Sequence, residues 1–442
     1  MGKATIVYIV GLSLLVSYGL RNINANTLAS SDTFQQYYGS MMSHNLAITG
    51  ANIGTQLLTR NPAYAGDLVN QQFGPGGWFD MRLTKVGDEA TIIATSRYAT
   101  AVSREYPDGY VRDSVIASFQ RISFCEYGWF TDGEQNGYLQ PDGSHGPHFG
   151  ASDWKITGDS VFGRAHTNKQ FNFAGTPYFQ DKVTALHPAT LMALNGVMQP
   201  VYNSGYQWGV TVSRPVTSIA TLKTMAIAGK GLNIPLDNND VGLEFHADGN
   251  VHLKVPFNTG ALADTTVPLT GLTINGVVGV VGGDLHVRGT YHGQVTMCAF
   301  KGTWGTGLNK GNIWIEGNMV AADNPRVNAS SPDMAGMVAE RMVYIKREDT
   351  RTSSSVLTID AAIYAHEGEF AAERYWEPGI HGRVSLFGGV TQATAGPMGV
   401  FSSGGLISGF HYSIRHDPRF LSAQPPAFPS SDKYKLVTWW EN

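Results

Sequence analysis

Formal charge is scarce in this sequence. Only 15% of the residues are Asp, Glu, Lys or Arg, whereas about a quarter is usual for soluble domains. The 31 basic and 35 acidic residues leave a net charge of −4, which provides no basic surface for nucleic acid. The 52 glycines favour a protein with many tight turns. We therefore expect a β-rich protein with an uncharged polar surface and no nucleic-acid partner.

Cysteines and catalytic motifs are also lacking. Cys125 and Cys298 are too few for a disulfide framework and do not have the paired spacing of a zinc site. A single bridge and two buried free thiols both remain open. The chain has no glycine-rich phosphate loop, HExxH, GxSxG or Cys/His cluster. At residues 237–240, with the sequence DNND, a polar turn is favoured over a calcium site. We predict no catalytic residue, cofactor or metal.

The first sixty residues contain no proline and little formal charge. No proline precedes Pro62, and between Lys3 and Arg60 only Arg21 and Asp32 carry formal charge. One helix of about 85 to 90 Å is therefore permitted over this segment. The sequence predicts a long N-terminal α-helix.

The uncharged stretch at residues 4–20 is close to the lower length limit for a bilayer-spanning helix. A cleaved signal peptide is the other interpretation of this stretch. The helix has few charged pairs to support it in water, so we expect it to pack among copies of itself. The predicted assembly surface consists of Ile6, Val7, Ile9, Val10, Gly11, Leu12, Leu14, Leu15, Val16, Tyr18, Leu20, Leu28 and Phe34.

Glycines recur along this helix, and each lowers helix propensity by about 1 kcal/mol. We expect neighbouring copies to supply that stability through close approach of their backbones. These glycines are Gly11, Gly19, Gly39, Gly50 and Gly54.

Strand patterns follow Pro62. Residues 77–99 alternate apolar and polar side chains around a Val-Gly-Asp turn, and residues 242–255 do so around Asp248 and Gly249. Both segments predict antiparallel hairpins. Periodicity leaves residues 114–130 open between a strand pair and a helix followed by a strand.

A second pattern begins at residues 153–184, where short apolar runs alternate with glycine or asparagine corners. These corner residues accept the left-handed conformation that bends a chain from one sheet to the next. The pattern returns at residues 282–297, 311–322, 356–370 and 382–401. It predicts a β-solenoid.

The sequence between Asn45 and Asn61, NLAITGANIGTQLLTRN, is similar to the end of the first helix in bacterial type IV pilin-like proteins, including large pseudopilin-like minor subunits. Residues 153–184 resemble rungs of the polymer-forming β-helical bodies attached to such helices. The fifth residue is Thr5, where that family usually has glutamate. The resemblance implies an N-terminal helix that assembles the protein and a body outside the cell.

The predicted fold is α+β, mostly β: a long N-terminal helix, then β-hairpins and a right-handed β-solenoid. The predicted domains are residues 1–61 (helix), 62–148 (hairpins), 149–424 (solenoid with a β region inserted at about 185–265) and 425–442 (extended tail).

Six residues have side chains suited to catalysis. Glu367 and Glu369 are predicted to lie exposed on the same face of one strand, the arrangement nearest to a glycosidase pair. Asp159 is predicted to cap backbone amides at a corner, and His166 to bond a neighbouring rung. The remaining two are Asp360 and His366.

The sequence thus predicts a non-enzymatic structural subunit of a bacterial extracellular filament or type IV pilus-like assembly. Its partners would be copies of itself, the inner membrane before assembly, and a surface glycan. Two alternatives remain open: a minor or tip component with adhesive function, and a secreted β-helix enzyme or carbohydrate-binding protein.

Overall fold

The computed structural model describes residues 2–100, 102, 105–214, 218–231, 236–303 and 305–441. The fold is α+β, mostly β, with a long N-terminal helix followed by many strands, as predicted. The chain divides into two compact units. Unit 1 comprises Met1–Ile122 and Asp432–Asn442, and unit 2 comprises Ser123–Ser431. Unit 2 is therefore inserted within the sequence of unit 1.

The helices are α1 (Lys3–Arg60), α2 (Ser218–Ala228) and α3 (Leu269–Leu272). The strands are β1 (Gly66–Gln72), β2 (Gly77–Val86), β3 (Glu89–Ala99), β4 (Tyr110–Ser123), β5 (Trp129–Gly133), β6 (Lys155–Ile156), β7 (Ser160–Phe162), β8 (Ala165–Thr167), β9 (Asn172–Ala174), β10 (Tyr178–Phe179), β11 (Val183–Ala185), β12 (Thr190–Met192), β13 (Val201–Tyr202), β14 (Tyr206–Trp208), β15 (Val241–Phe245), β16 (Asn250–Val255), β17 (Ala263–Pro268), β18 (Val277–Val281), β19 (Leu285–Tyr291), β20 (Gln294–Phe300), β21 (Ile313–Ala321), β22 (Met334–Ala339), β23 (Val343–Ile345), β24 (Val356–Ala365), β25 (Phe370–Ala372), β26 (Gly379–Thr394), β27 (Gly399–Ser402), β28 (Gly405–His416) and β29 (Ser430–Glu441).

Unit 1 packs the second part of α1 against a five-stranded sheet in the order β1-β2-β3-β4-β29, in which β1 to β4 pair antiparallel. Small helix residues make this contact close. A Cβ atom on Gly50 would lie 2.8 Å from Cδ2 of Phe79, and one on Gly54 would lie 3.0 Å from Cγ2 of Ile92. A Cβ on Gly39 would likewise lie 3.0 Å from Cγ2 of Val111.

The expectation that these three glycines face other copies is therefore wrong. They face the sheet of their own chain, because only a residue without a side chain lets the helix approach this closely. Gly11 and Gly19 differ, since a Cβ at either position would meet nothing within 4 Å.

Both predicted hairpins are confirmed. β2 pairs with β3 from Gly77↔Tyr98 to Val86↔Glu89, and β15 pairs antiparallel with β16. The open segment at residues 114–130 contains the end of β4, a 3-10 turn at Phe124–Glu126 and the start of β5.

Parallel ladders build unit 2. Lys155 pairs with Phe173, Ser160 with Tyr178 and Ala165 with Val183, so each residue aligns with one 18 positions later. Three short strands recur in each turn of chain, and β9, β10 and β11 lie directly over β6, β7 and β8. The next turn keeps the step of 18 residues between β9 and β12 and has a step of 23 residues between β10 and β13 and between β11 and β14.

One ladder runs through nine strands in an order that differs from the order of the chain. β26 pairs with β5, which pairs with β8, so the early strands of unit 2 continue the stack built by the late ones. Eight of the nine aligned side chains belong to the main buried core, and Tyr206 packs against it. In ladder order they are Val278, Met297, Met337, Ile363, Val390, Trp129, Ala165, Val183 and Tyr206.

The domain limits differ from those expected. Residues 1–61 and the hairpins that follow form one unit, because α1 buries its second part on the sheet. The expected extended tail contains β29, the neighbour of β4. The expected insertion at 185–265 begins with β12, β13 and β14, which continue the ladders. Residues 215–217 and 232–235 of that insertion lie outside the described residues.

Candidate assembly helix

The first part of α1 carries the predicted assembly residues on an exposed surface. Apart from Gly11, which is also exposed, these residues are between 52% and 71% exposed. Three further apolar residues of the segment were absent from the prediction: Tyr8, Ile23 and Tyr37, at 83%, 64% and 68% exposure. Tyr8 belongs to the uncharged stretch at residues 4–20, and Ile23 and Tyr37 belong to the charge-poor segment that follows it, so the composition could have identified all three.

Over residues 6–20, apolar side chains lie on every side of the helix. A helix in water normally has one apolar stripe, whereas an all-round apolar helix is typical of a membrane span or a buried core. Exposed apolar patches of this extent are rare on soluble monomers. By length and composition, α1 can cross a membrane.

Threonine hydroxyls on the exposed segment bond within the helix. Oγ1 of Thr27 donates to the carbonyl of Ile23, and Oγ1 of Thr33 donates to the carbonyl of Ala29, both at 2.8 Å. Such bonds satisfy the hydroxyl without water. The segment can therefore enter an apolar environment without leaving these donors unpaired.

The surroundings of α1 change near residue 38. The ring of Tyr38 stacks on Phe34 at 6.3 Å and meets the edge of Tyr98 on β3 at 6.0 Å. Beyond this point the hydroxyl of Ser43 lies 2.8 Å from that of Ser96, and both residues are buried. The second part of the helix is thus fixed to the sheet.

His44 provides a polar contact at the edge of this interface. Its Nδ1 lies 2.9 Å from Oδ2 of Asp113 on β4, and its Nε2 lies 3.3 Å from Oε2 of Glu441 on β29. One helical side chain therefore links the helix to two strands of unit 1.

Asp159 and His166 have the structural roles expected from the sequence. Oδ2 of Asp159 accepts a hydrogen bond from the amide of Ile156 at 2.9 Å, and Oδ1 accepts one from the amide of Tyr412 at 3.3 Å. Nδ1 of His166 lies 2.8 Å from Oγ1 of Thr184, its partner on the next rung. Burial lowers the pKa of His166. These contacts stabilise corners and rungs.

Asp360 and His366 do not form an acid–base pair in their described contacts. Oδ1 of Asp360 accepts from Nε of Arg326 at 2.8 Å, and burial raises the pKa of this carboxyl. Nδ1 of His366 lies 3.3 Å from the hydroxyl of Tyr364. Burial, followed by the charge of Arg214, lowers the pKa of His366.

The expectation for Glu367 and Glu369 is wrong. Glu367 is in a turn, exposed, and its two carboxylate oxygens lie 2.7 and 2.6 Å from Nζ of Lys301. Glu369 is fully buried before β25, and it accepts hydrogen bonds from the amide of Gly137 and from Oγ1 of Thr394. Burial raises its pKa well above the ordinary value. The two carboxyl groups have different environments because the chain turns at residues 366–369 instead of continuing as a strand.

The carboxylates of residues 237–240 also bond backbone amides and lysines. Oδ1 of Asp237 accepts from the amide of Val281 at 3.0 Å, while both oxygens of Asp240 lie 2.8 Å from Nζ of Lys310. Among the described residues, no group of three or more His, Cys, Asp or Glu side chains could hold a metal ion.

The two cysteines are buried free thiols in the structure. Burial raises the pKa of Cys125 to about 12 and also raises that of Cys298. Both pack in an apolar cluster of unit 2 and have little thiolate character.

A buried ion cluster of unit 2 was not predicted. Nζ of Lys155 lies 3.1 Å from Oε2 of Glu134, contacts Oδ2 of Asp153, and sits 4.2 Å from the ring centre of Trp129. Burial opposes the charged amine, but the two acidic neighbours hold the pKa of Lys155 above its ordinary value. Spacing in the sequence does not reveal this cluster, since Trp129 and Glu134 belong to a different turn from Lys155.

No protein-family model and no curated protein matches the chain. One solved structure that matches is the competence-associated pilin ComZ from Thermus thermophilus, at 13% sequence identity and a TM-score of 0.36. The match covers 91% of this chain and 98% of that chain.

Proposed function

We propose that this chain is a structural subunit of a bacterial extracellular filament of the type IV pilus kind. It polymerises through the first part of α1 and has no enzymatic role. The observation that carries the proposal is the change of surroundings along one helix. The second part of α1 packs on its own sheet, whereas the apolar first part is exposed on every side.

Copies of the same helix are the proposed partners of that surface. After Lys3 at its start, the first part of α1 contains only two formal charges, Arg21 and Asp32, so it offers few ion pairs to a charged partner. Uncharged helices with glycine and threonine pack closely in apolar surroundings. Before assembly, we propose that lipid of the inner membrane covers the same side chains.

We further propose that the ladders of unit 2 are turns of a right-handed β-solenoid outside the cell. Repeated parallel pairing at intervals of 18 and 23 residues supports this interpretation. Connections between parallel strands of one sheet are almost always right-handed. The residues suited to catalysis support a structural role for this body, because Asp159, His166 and Glu369 bond neighbouring turns or backbone amides.

Leu15→Asp tests assembly through the helix. Leu15 is 70% exposed, and an unpaired carboxylate among packed apolar helices costs several kcal/mol. We expect electron microscopy to find no filaments from cells that express this variant at normal levels. The matched control is Val327→Asp, which changes an 85% exposed residue of unit 2 and should leave filaments intact. Normal filament yield from Leu15→Asp would contradict the proposal.

A minor or tip component with adhesive function is the second candidate. The size of the insertion favours it, since Ser123–Ser431 is much longer than the two segments of unit 1 and adds bulk to every subunit. A surface glycan is the partner proposed for this role. Gold-labelled antibody against unit 2 distinguishes the candidates: label along the whole filament indicates the main subunit, and label at filament ends indicates a tip component.

A further inference from the structure

The last turn of the parallel ladders in unit 2 ends in open strand edges. β12 pairs with β9, β13 with β10 and β14 with β11. Among the described residues, no strand pairs with the opposite edge of any of these three. At the other end of the stack, β15 is extended by the antiparallel strands β16 and β17. An open edge presents backbone donors and acceptors to another chain.

Apolar side chains surround these open edges. The residues concerned are Leu191, Met192, Val197, Met198, Val201 and Trp208, with exposures of 45%, 36%, 44%, 53%, 37% and 62%. Isolated exposed apolar residues are common, but here six fall within one turn of chain. The turn therefore combines free backbone edges with apolar surface.

Formal charge is missing from the same turn. Residues 183–213 contain no Asp, Glu, Lys or Arg. Strands at sheet edges elsewhere carry such residues, for example Asp67 on β1 and Asp264 on β17. Charged side chains on an edge normally prevent pairing with another copy. The last turn of unit 2 lacks this protection.

We propose that this end of unit 2, defined as residues 190–208, binds the same end of a second copy of the chain. A two-fold axis between the two copies would place each open strand opposite a strand of the other copy that runs in the opposite direction. The two strands would therefore pair antiparallel. An uncharged surface meets its own copy without like-charge repulsion, and the open edges of each copy supply the strands that the other lacks. A charged partner would gain no ion pair here.

This interface uses residues of unit 2 alone and no residue of α1. The proposal thus adds a second self-association surface to the proposed function and does not rest on it.

Sedimentation of the full chain in detergent tests the interface. We expect a concentration-dependent dimer for the wild-type protein, and also for Leu15→Asp, because the helix is not involved. Val201→Lys and Leu191→Lys should each weaken the dimer about tenfold or more, because the two-fold axis brings the new charges together in an uncharged contact. Ile274→Lys, at a 74% exposed residue elsewhere in unit 2, is the control and should leave the dimer unchanged.

Cross-linking provides a second measurement, which does not depend on whether the lysine variants fold. Single cysteines would replace Leu191, Val201 or Gln207, one on each open strand, and the native cysteines are buried. At least one of these variants should form a disulfide-linked dimer on mild oxidation, whereas Ile274→Cys should not. A wild-type protein that stays monomeric at high concentration, or cross-linking equal to that of Ile274→Cys at all three positions, would overturn the proposal.

Discussion

At the scale of single residues, carboxyl groups of unit 2 differ in what they stabilise. Asp159 is buried at a corner and accepts hydrogen bonds from two backbone amides, whereas Glu367 is exposed and paired with Lys301. Leaving a buried donor without its acceptor lowers the free energy of unfolding far more than removing an exposed ion pair does. Similar side chains therefore have unequal effects on stability.

We expect Asp159→Ala to lower the free energy of unfolding by about 1 to 3 kcal/mol, because the amides of Ile156 and Tyr412 lose their acceptor. Denaturant unfolding monitored by fluorescence measures this change. Glu367→Gln is the matched control and should change stability by less than about 0.5 kcal/mol. Equal effects of the two substitutions would show that Asp159 does not satisfy those amides.

Glu369 gives a prediction about pH. Burial raises its pKa well above the ordinary 4.5, so the folded protein keeps this proton to a higher pH than the unfolded chain does. The contribution of the protonated Glu369 side chain to the free energy of unfolding is therefore complete below pH 4.5. It is lost as the pH rises toward the pKa of Glu369 in the folded protein. Glu369→Gln cannot ionise, and we expect it to gain stability relative to wild type between about pH 5 and 8.

Thermal unfolding of the wild-type protein and of Glu369→Gln across that pH range measures the difference. Oxygen Oε1 of Glu369 bonds Gly137 and Thr394, and a glutamine side chain retains an acceptor for both contacts. The prediction fails if the difference in melting temperature between the two proteins stays constant with pH.

At the scale of elements, α1 is one helix with two environments. Its glycines have different roles on either side of residue 38, because those of the second part touch the sheet while Gly11 and Gly19 touch nothing in the chain. Helix propensity treats these positions alike. Only the packing distinguishes them.

Gly50→Leu should destabilise unit 1 by about 1 to 3 kcal/mol, since its side chain would overlap Phe79 and Ala94. Gly11→Leu is the matched control on the same helix and should leave the unfolding of unit 1 unchanged. Denaturant titration in detergent, followed by the fluorescence of Trp78 on β2, compares the two. Equal destabilisation by both variants would contradict the close contact of helix and sheet.

At the scale of the whole molecule, the boundary near residue 38 predicts how much of the chain can be removed. Deletion of residues 1–30 takes away most of the exposed apolar surface of α1 and keeps the buried contacts of Ser43, Ala47 and Leu58. We expect a soluble protein with an unchanged melting temperature and no filaments. Sedimentation, calorimetry and electron microscopy measure these three properties. Filaments of unchanged geometry from the truncated chain would exclude the helix as the assembly element.

The sequence alone determined the features that depend on neighbouring residues. The helix follows from the lack of proline and charge before Pro62, and the hairpin of β2 and β3 follows from alternation around Gly87. The corner role of Asp159 also followed, because a Gly-Asp turn is a local structure. Each of these features is specified within a few residues of chain.

Only the tertiary structure decided which distant segments meet. It brings β5 beside β26, adds β29 to β4, turns Gly50 toward Phe79 and buries Glu369 against Gly137. The physical reason is that parallel ladders accept any strand of suitable length and apolar pattern, so periodicity does not specify the partner. The contacts are selected by the packing of the whole core, which no local stretch of sequence contains.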